Sequence, residues 1–215
     1  MNHTVSVLAA VVLSGCVSIS SVQRADTLGA GNLQVGVEPG AIAQQTTVPG
    51  LFYQGYRTYL PGPHLDASLR MGITDRIDLG VRAGFSGVEL QSKFMLTERD
   101  SRFTVSLAPT AGGSPAWVTA ALPVLVGIGF GRHQLVLGAR VQGTWRFPDG
   151  VSASNSALSV GGSLGFAFRV SERLTILPEL ALAAPVAMER WDRNVPSEWY
   201  LTPQLKLGFL IEPPP

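Results

Sequence analysis

The chain has 215 residues, 14% of them charged, and a formal net charge of +1. That charge content lies far below the roughly 25% usual in soluble domains, and the near-zero balance gives no argument for nucleic acid as a partner. The single cysteine, Cys16, excludes an internal disulfide.

Taken in chain order, Val5 to Val12 form a short apolar core, followed by Leu13-Ser14-Gly15-Cys16. These residues resemble the lipobox of bacterial lipoproteins, in which cleavage precedes an acylated cysteine. The resemblance implies a signal peptide over 1–15, lipid attachment at Cys16 and a lipidated, Ser-rich tether over 16–30. Two or three acyl chains, at about 0.8 kcal/mol per buried methylene, would anchor it firmly. Beyond the N-terminus no run of 18 apolar residues occurs, so no transmembrane helix is expected.

From residue 31 onward, apolar and polar residues alternate. Ile77, Leu79, Val81, Ala83 and Phe85 share one parity, and Asp78, Gly80, Arg82 and Gly84 the other. Side chains alternate across a strand, so each such run has an oily and an ionic face. Ten strands are predicted: 31–44, 64–73, 77–86, 87–97, 102–111, 116–130, 133–147, 156–170, 173–184 and 199–211. Most reach the 9 to 11 residues, roughly, that cross a bilayer at a tilt. The pattern predicts an all-β fold: a closed antiparallel up-and-down transmembrane β-barrel of about ten strands, with eight or twelve as alternatives, over 31–211, with a tail at 212–215. Short links alternate with longer ones, notably 45–63 and 185–198, as in barrels with short periplasmic turns and long outer loops. An even strand count then puts both termini on the periplasmic side.

The oily stripe carries no charge, as hydrocarbon requires: a lipid-facing Arg or Lys at the midplane costs about 2–4 kcal/mol. Aromatics fall near the strand ends and predict two girdles. Phe85, Trp145, Phe147 and Trp199 belong to the outer one, and Phe103, Phe130, Phe168 and Phe209 to the inner one. The alternative is a soluble lipocalin-like barrel with the oily set inside. Against it, the other face is built mainly of Gly, Ser, Thr, Ala and Gln, too poor in charge for water.

That second face holds Glu38, Asp66, Arg70, Asp78, Arg82, Glu89, Lys93, Arg140, Glu179 and Lys206, five acids against five bases. A barrel of about ten strands is narrow, and charges inside it must pair or meet water. The balance predicts a lumen packed by a charge network, with a small selective pore or polar pocket as the alternative.

Catalytic signals are sparse. His64 stands beside Asp66 near the expected outer rim, with Ser86 and Ser156 at similar height. These are the candidates for a lipid esterase or acyltransferase. His133 falls in a turn, and three scattered histidines offer no metal spacing. The run Gly127-Ile128-Gly129-Phe130-Gly131 lacks the helix a phosphate loop needs. No cofactor is expected. Glu189 to Arg193 in the last outer loop mix charge with an aromatic and could recognise a partner.

By this pattern the chain resembles bacterial outer-membrane β-barrel proteins with a lipoprotein-type signal. The resemblance implies outer-membrane lipid and the barrel-insertion machinery as partners, and a surface ligand reached through 45–63 and 185–198. The expected function is non-enzymatic, structural or surface-interacting. A narrow solute channel, a lipid-modifying enzyme and an anchored lipid-binding barrel stand as alternatives.

Overall fold

The structure is a computed structural model that describes residues 18–48, 56–85, 87–98, 101–115, 117–147, 155–190 and 201–213. No helix occurs among them. The strands are β1 (Leu33–Val48), β2 (Tyr56–Thr74), β3 (Ile77–Gly84), β4 (Gly87–Met95), β5 (Phe103–Leu107), β6 (Thr110–Ser114), β7 (Trp117–Phe130), β8 (His133–Arg146), β9 (Asn155–Arg169), β10 (Leu174–Arg190) and β11 (Thr202–Ile211). Each pairs antiparallel with its neighbours, and β1 pairs with β11. β5 and β6 occupy one place in the wall, both lying between β4 and β7 in a continuous register. The result is a closed barrel of ten strands.

The break between β5 and β6 falls at Ala108-Pro109, inside the single strand expected over 102–111. Proline has no N–H to give the ladder. The neighbours close around the gap: Ala108 N–H donates to the Pro123 carbonyl at 2.9 Å and Ser92 N–H to the Pro109 carbonyl at 3.0 Å. The wall therefore stays sealed at the interruption.

Two hairpins rise well above the rest. β1 and β2 stay paired to Val48↔Tyr56, and β9 and β10 to Arg190↔Asn155. The segments 45–63 and 185–198, expected as loops, are thus strand at their inner ends; residues 49–55 and 191–200 lie outside the described residues. Pro61, Pro63 and Pro185 interrupt the alternation there and hide the strands from a pattern reading. Their tolerance has a positional cause. β3 stops at Gly84, opposite Asp66, and β11 at Thr202, opposite Ala183. Beyond that point on β2 the side left by β3 is an edge, where a missing N–H at Pro61 or Pro63 breaks no ladder. A β-bulge at Pro185/Ala187 marks the same transition on β10.

The opposite end carries the short turns at 75–76 and 131–132, the start of β1 and the end of β11. We call it the turn end, and the other the hairpin end.

The oily parity faces outward. Leu65, Leu69, Leu79, Leu90, Val118, Leu137, Leu164, Leu180 and Leu205 are exposed, and the charged parity is buried inside. The lipocalin-like arrangement is thereby inverted. Leu137, Leu164, Leu180 and Leu205 stand side by side across four strands, presenting leucine to leucine around the wall. Such a band has no polar cover and suits hydrocarbon.

At the turn end Phe103, Phe130 and Phe168 are exposed and Phe209 is half-buried. Phe166 packs on Phe168 with ring centroids 4.4 Å apart, and His133 joins at 6.1 Å from Phe168. Toward the hairpin end Phe85, Trp145 and Phe147 are exposed; Trp199 lies outside the described residues.

A Leu180→Arg substitution should lower stability by about 2–4 kcal/mol in lipid vesicles, read as a shift of the urea unfolding midpoint. Asp or Lys at exposed Ser171, in a turn, should leave the midpoint unmoved.

Candidate functional site

Residues 18–30, read from sequence as a tether, run up the inside of the barrel. Ser18, Ser20, Ser21, Val22, Gln23, Ala25 and Thr27 are all buried. The segment has no regular structure, so it cannot satisfy its own peptide groups, and each buried one must find a partner elsewhere. The lumen supplies them from side chains.

On the donor side, the N–H groups of Ile19 and Ser20 both donate to Gln204 Oε1 at 2.9 Å. Those of Ser21 and Val22 donate to the two oxygens of Glu179 at 3.0 and 2.9 Å. Ala25 N–H reaches Gln134 Oε1 at 2.9 Å, and Leu28 N–H reaches Asp78 at 3.0 Å. On the acceptor side, the Ser20 carbonyl takes Arg82 Nη1 at 2.9 Å. Arg70 Nη2 bridges the carbonyls of Ser21 and Val22 at 3.3 and 3.1 Å. Lys93 Nζ donates to the carbonyls of Arg24 and Asp26, and Ser106 Oγ to that of Ala25. Charged groups give the stronger hydrogen bonds of this kind.

Two side chains of the segment fill apolar seats. Val22 and Ala25 cluster with Leu125, Val136, Ala167, Leu177 and Leu210 from the wall. Gly208 makes room for the first: a Cβ there would come within 2.3 Å of Val22 Cγ1. Gly72 makes room near the entrance, where a Cβ would lie 1.9 Å from the Gly29 carbonyl oxygen. Val22 has φ +39°, costly for a β-branched residue. Its surroundings hold it there, with both flanking carbonyls on Arg70 and its N–H on Glu179.

All ten charged residues expected in the lumen are buried there. Seven of them form one connected ring at the level of Ser20 to Val22. Lys206 Nζ lies 2.6 Å from Asp66 and 3.3 Å from Glu38; Arg82 lies 2.9 Å from Glu89 and 3.6 Å from Glu38. Arg140 stands 4.0 Å from Glu89, and Arg70 4.0 Å from Glu38. Lys93 and Asp78 pair at 3.0 Å nearer the turn end. Removed from water, such charges hold only because each is met by an opposite charge or a peptide group. Sequence reading found the charges and missed their second task, holding the segment. It also missed the neutral members Gln134, Ser106 and Gln204, which differ from other inward polar residues in nothing but position.

His64 is not at a solvated rim. It points inward, is 2% exposed, and its Nδ1 lies 3.4 Å from Asp66 Oδ2. Asp66 also takes Lys206, so the histidine belongs to the ionic ring. Ser156 is half-buried, while Ser86 and Cys16 lie outside the described residues. Glu189 and Arg190 are in β10, and residues 191–193 lie outside the described residues. Among the described residues no cluster of His, Cys, Asp and Glu could hold a metal.

Small spaces remain between the segment and the wall. One, of about 10 Å³ and lined by Ile19, Ser21, Leu125 and Arg140, has room for about one water. At the turn end a vestibule of about 380 Å³ opens, bordered by Arg24, Lys93, Arg169, Arg173 and Glu212.

This wall has solved counterparts. An outer membrane channel from Pseudomonas putida F1 aligns over 91% of this chain and 100% of its own, with a TM-score of 0.50 and 10% identity. The chain has an outer-membrane barrel fold. The outer membrane protease OmpT of Escherichia coli aligns over 87% of this chain and 99% of its own, with a TM-score of 0.49 and 7% identity. At such identities the likeness lies in the wall, and no functional residue carries over. No protein-family model and no curated protein matches the sequence.

Replacing Arg82 by Met takes from Glu89 its close partner, leaving it Arg140 at 4.0 Å, and should cost about 3–5 kcal/mol. Pairing it with Glu89→Leu should recover part of that loss. The midpoint of the heat-induced shift in gel migration reads both variants.

Proposed function

We propose that this chain is a non-enzymatic outer-membrane barrel, sealed by its own N-terminal segment, with a structural or surface-contact role. The observation that carries the reading is the segment itself. Residues 18–30 fill the lumen from the turn end to Gln204, and wall side chains take up their peptide groups. A sealed, salt-bridged barrel carries no solute through its centre. What it offers to its surroundings is the pair of tall hairpins, β1–β2 and β9–β10, at the hairpin end. On this reading the hairpin end faces outward and the turn end the periplasm, following the short-turn, long-loop asymmetry of such barrels. The engagement of His64 in the ionic ring supports a non-enzymatic role.

The reading constrains Cys16. Ser18 is held at Gln204, and Gln204 to Ile211 spans roughly 23 Å of strand at ~3.3 Å per residue. Two residues reach at most about 7 Å. A lipid anchor on Cys16 in the turn-end leaflet and a filled lumen therefore exclude each other. We take the filled lumen as the resting state, with the lipobox-like residues acting as a cleaved signal. Radiolabelled palmitate should leave the purified protein unlabelled, and Cys16→Ala should export and fold normally. Palmitate incorporation into a protein whose lumen is closed would overturn this.

A narrow channel opened by withdrawal of the segment is the second reading. It is favoured by the segment's attachment, which rests on side-chain hydrogen bonds and two apolar seats rather than on a backbone ladder. Planar bilayers separate the two. The sealed barrel should give no steady open events at moderate voltage, and regular unitary steps from the intact protein would establish the channel.

A further inference from the structure

The contacts between wall and segment divide into two kinds, and the division says what the lumen recognises. Most are to peptide groups: Gln204, Glu179, Gln134 and Asp78 accept N–H groups, and Arg70, Arg82, Lys93 and Ser106 donate to carbonyls. Any peptide offers those groups. Apolar side-chain readout is confined to two seats three residues apart, while the hydroxyls of Thr27 and Ser18 add hydrogen bonds to the Asp75 carbonyl and to Gln204 Oε1. Val22 enters a seat shaped by Gly208, Leu177 and Leu210. Ala25 enters one beside Gly127, where a wall Cβ would stand 2.8 Å from the Ala25 methyl. The two serines before Val22 fill no apolar seat; the hydroxyls of Ser20 and Ser21 have no hydrogen-bond partner.

The closure of the wall does not run through the segment. Its ladder closes through β1 and β11. Its upper charges are paired with one another, Lys206 with Asp66 and Glu38, and Arg82 with Glu89. The segment joins β1 through Gly29, Ala30 and Gly31, a turn whose Gly31 has open space around it.

We propose that the lumen is a peptide-binding site. Its ligand is a peptide segment with a Val-sized side chain at one position, where the chain turns, and a methyl three residues later, and residues 18–30 are its exchangeable occupant. The site recognises main chain by hydrogen bonding and selects sequence at the Val22 and Ala25 seats. The proposal rests on the sealed-barrel reading of the lumen.

The test uses the full chain. A specific protease site is inserted between Ala30 and Gly31, and the folded protein is cleaved in detergent, washed, and titrated with a fluorescent synthetic peptide of residues 18–30. Polarisation reads binding, and bilayer conductance of the same samples reads closure. Uncleaved protein should be closed; cleaved and washed protein should conduct; added peptide should close it again in a concentration-dependent way. A peptide with Val22→Trp, overfilling its seat, should bind at least about tenfold more weakly. A Gly208→Ala wall should weaken the native peptide by a similar factor, and a Val22→Ala peptide should restore binding to that wall, because it removes the clashing methyl. That rescue is a signature a merely structural strap would not give. No uptake of the peptide after cleavage, or equal uptake of a scrambled peptide, overturns the proposal while leaving the sealed barrel standing. Conduction by uncleaved protein overturns the sealed-barrel reading instead, and peptide uptake is then judged by polarisation alone.

Discussion

Every peptide group this chain takes out of water has to find a partner, and both the wall and its filling follow from that. In hydrocarbon no solvent can serve, so the strands must close on one another with no open edge. Closure here is completed by β1 against β11, the first strand against the last. Inside, the same demand falls on residues 18–30, which have no ladder to join. The two solutions are complementary. The wall satisfies its backbone with backbone and thereby leaves its inward side chains free to satisfy a second backbone.

This gives the lumen charges a role beyond mutual pairing. A buried ion pair is weak evidence for stability, since desolvation offsets much of the attraction. Arg70, Lys93 and Glu179 show what else such charges can do. Arg70 approaches Glu38 only to 4.0 Å, yet it bonds two carbonyls of the segment closely. Glu179 spends both oxygens on neighbouring N–H groups. Uncharged side chains could occupy the same volume, but a length of bare peptide outside any ladder needs strong donors and acceptors along its length, and a mixed-sign lumen provides them.

The wall was legible in the sequence because its signal is redundant. Strict alternation over Ile77 to Phe85 fixes which face of β3 meets hydrocarbon, and a slip by one residue would put Asp78 and Arg82 into lipid. Each strand repeats the argument, so the barrel, its lumen charges and its outward band all emerge. The tall hairpins escaped because Pro61, Pro63 and Pro185 break the alternation exactly where one neighbour strand has ended. The lumen segment escaped for a deeper reason. Residues 18–30 have no period, since their partners come from β2, β3, β4, β5, β8, β10 and β11 at irregular spacing. A composition of Ser, Val, Gln and Ala reads equally well as a solvated linker. What marked it was written elsewhere, in inward glycines: Gly208 and Gly72 look like ordinary small lumen residues until the atoms of Val22 and Gly29 stand in the space they leave.

The position of the segment in the chain also bears on assembly. It lies immediately ahead of β1, and its upper half is held by Glu179 of β10 and by Gln204 of β11. Ser20 to Gln204 spans nearly the whole sequence, a closure as long as the pairing of β1 with β11 itself. Closing a long loop is entropically costly once; a second contact between the same chain ends adds little further cost. The segment and the final seam therefore favour each other. When β11 meets β1, Gly208 and Gln204 come within reach of Val22 and Ser20. When the segment is already seated, it draws β10 and β11 toward the strand it is joined to. A lumen filled from the N-terminal side is thus the arrangement in which filling the barrel and closing it draw on the same loss of chain entropy.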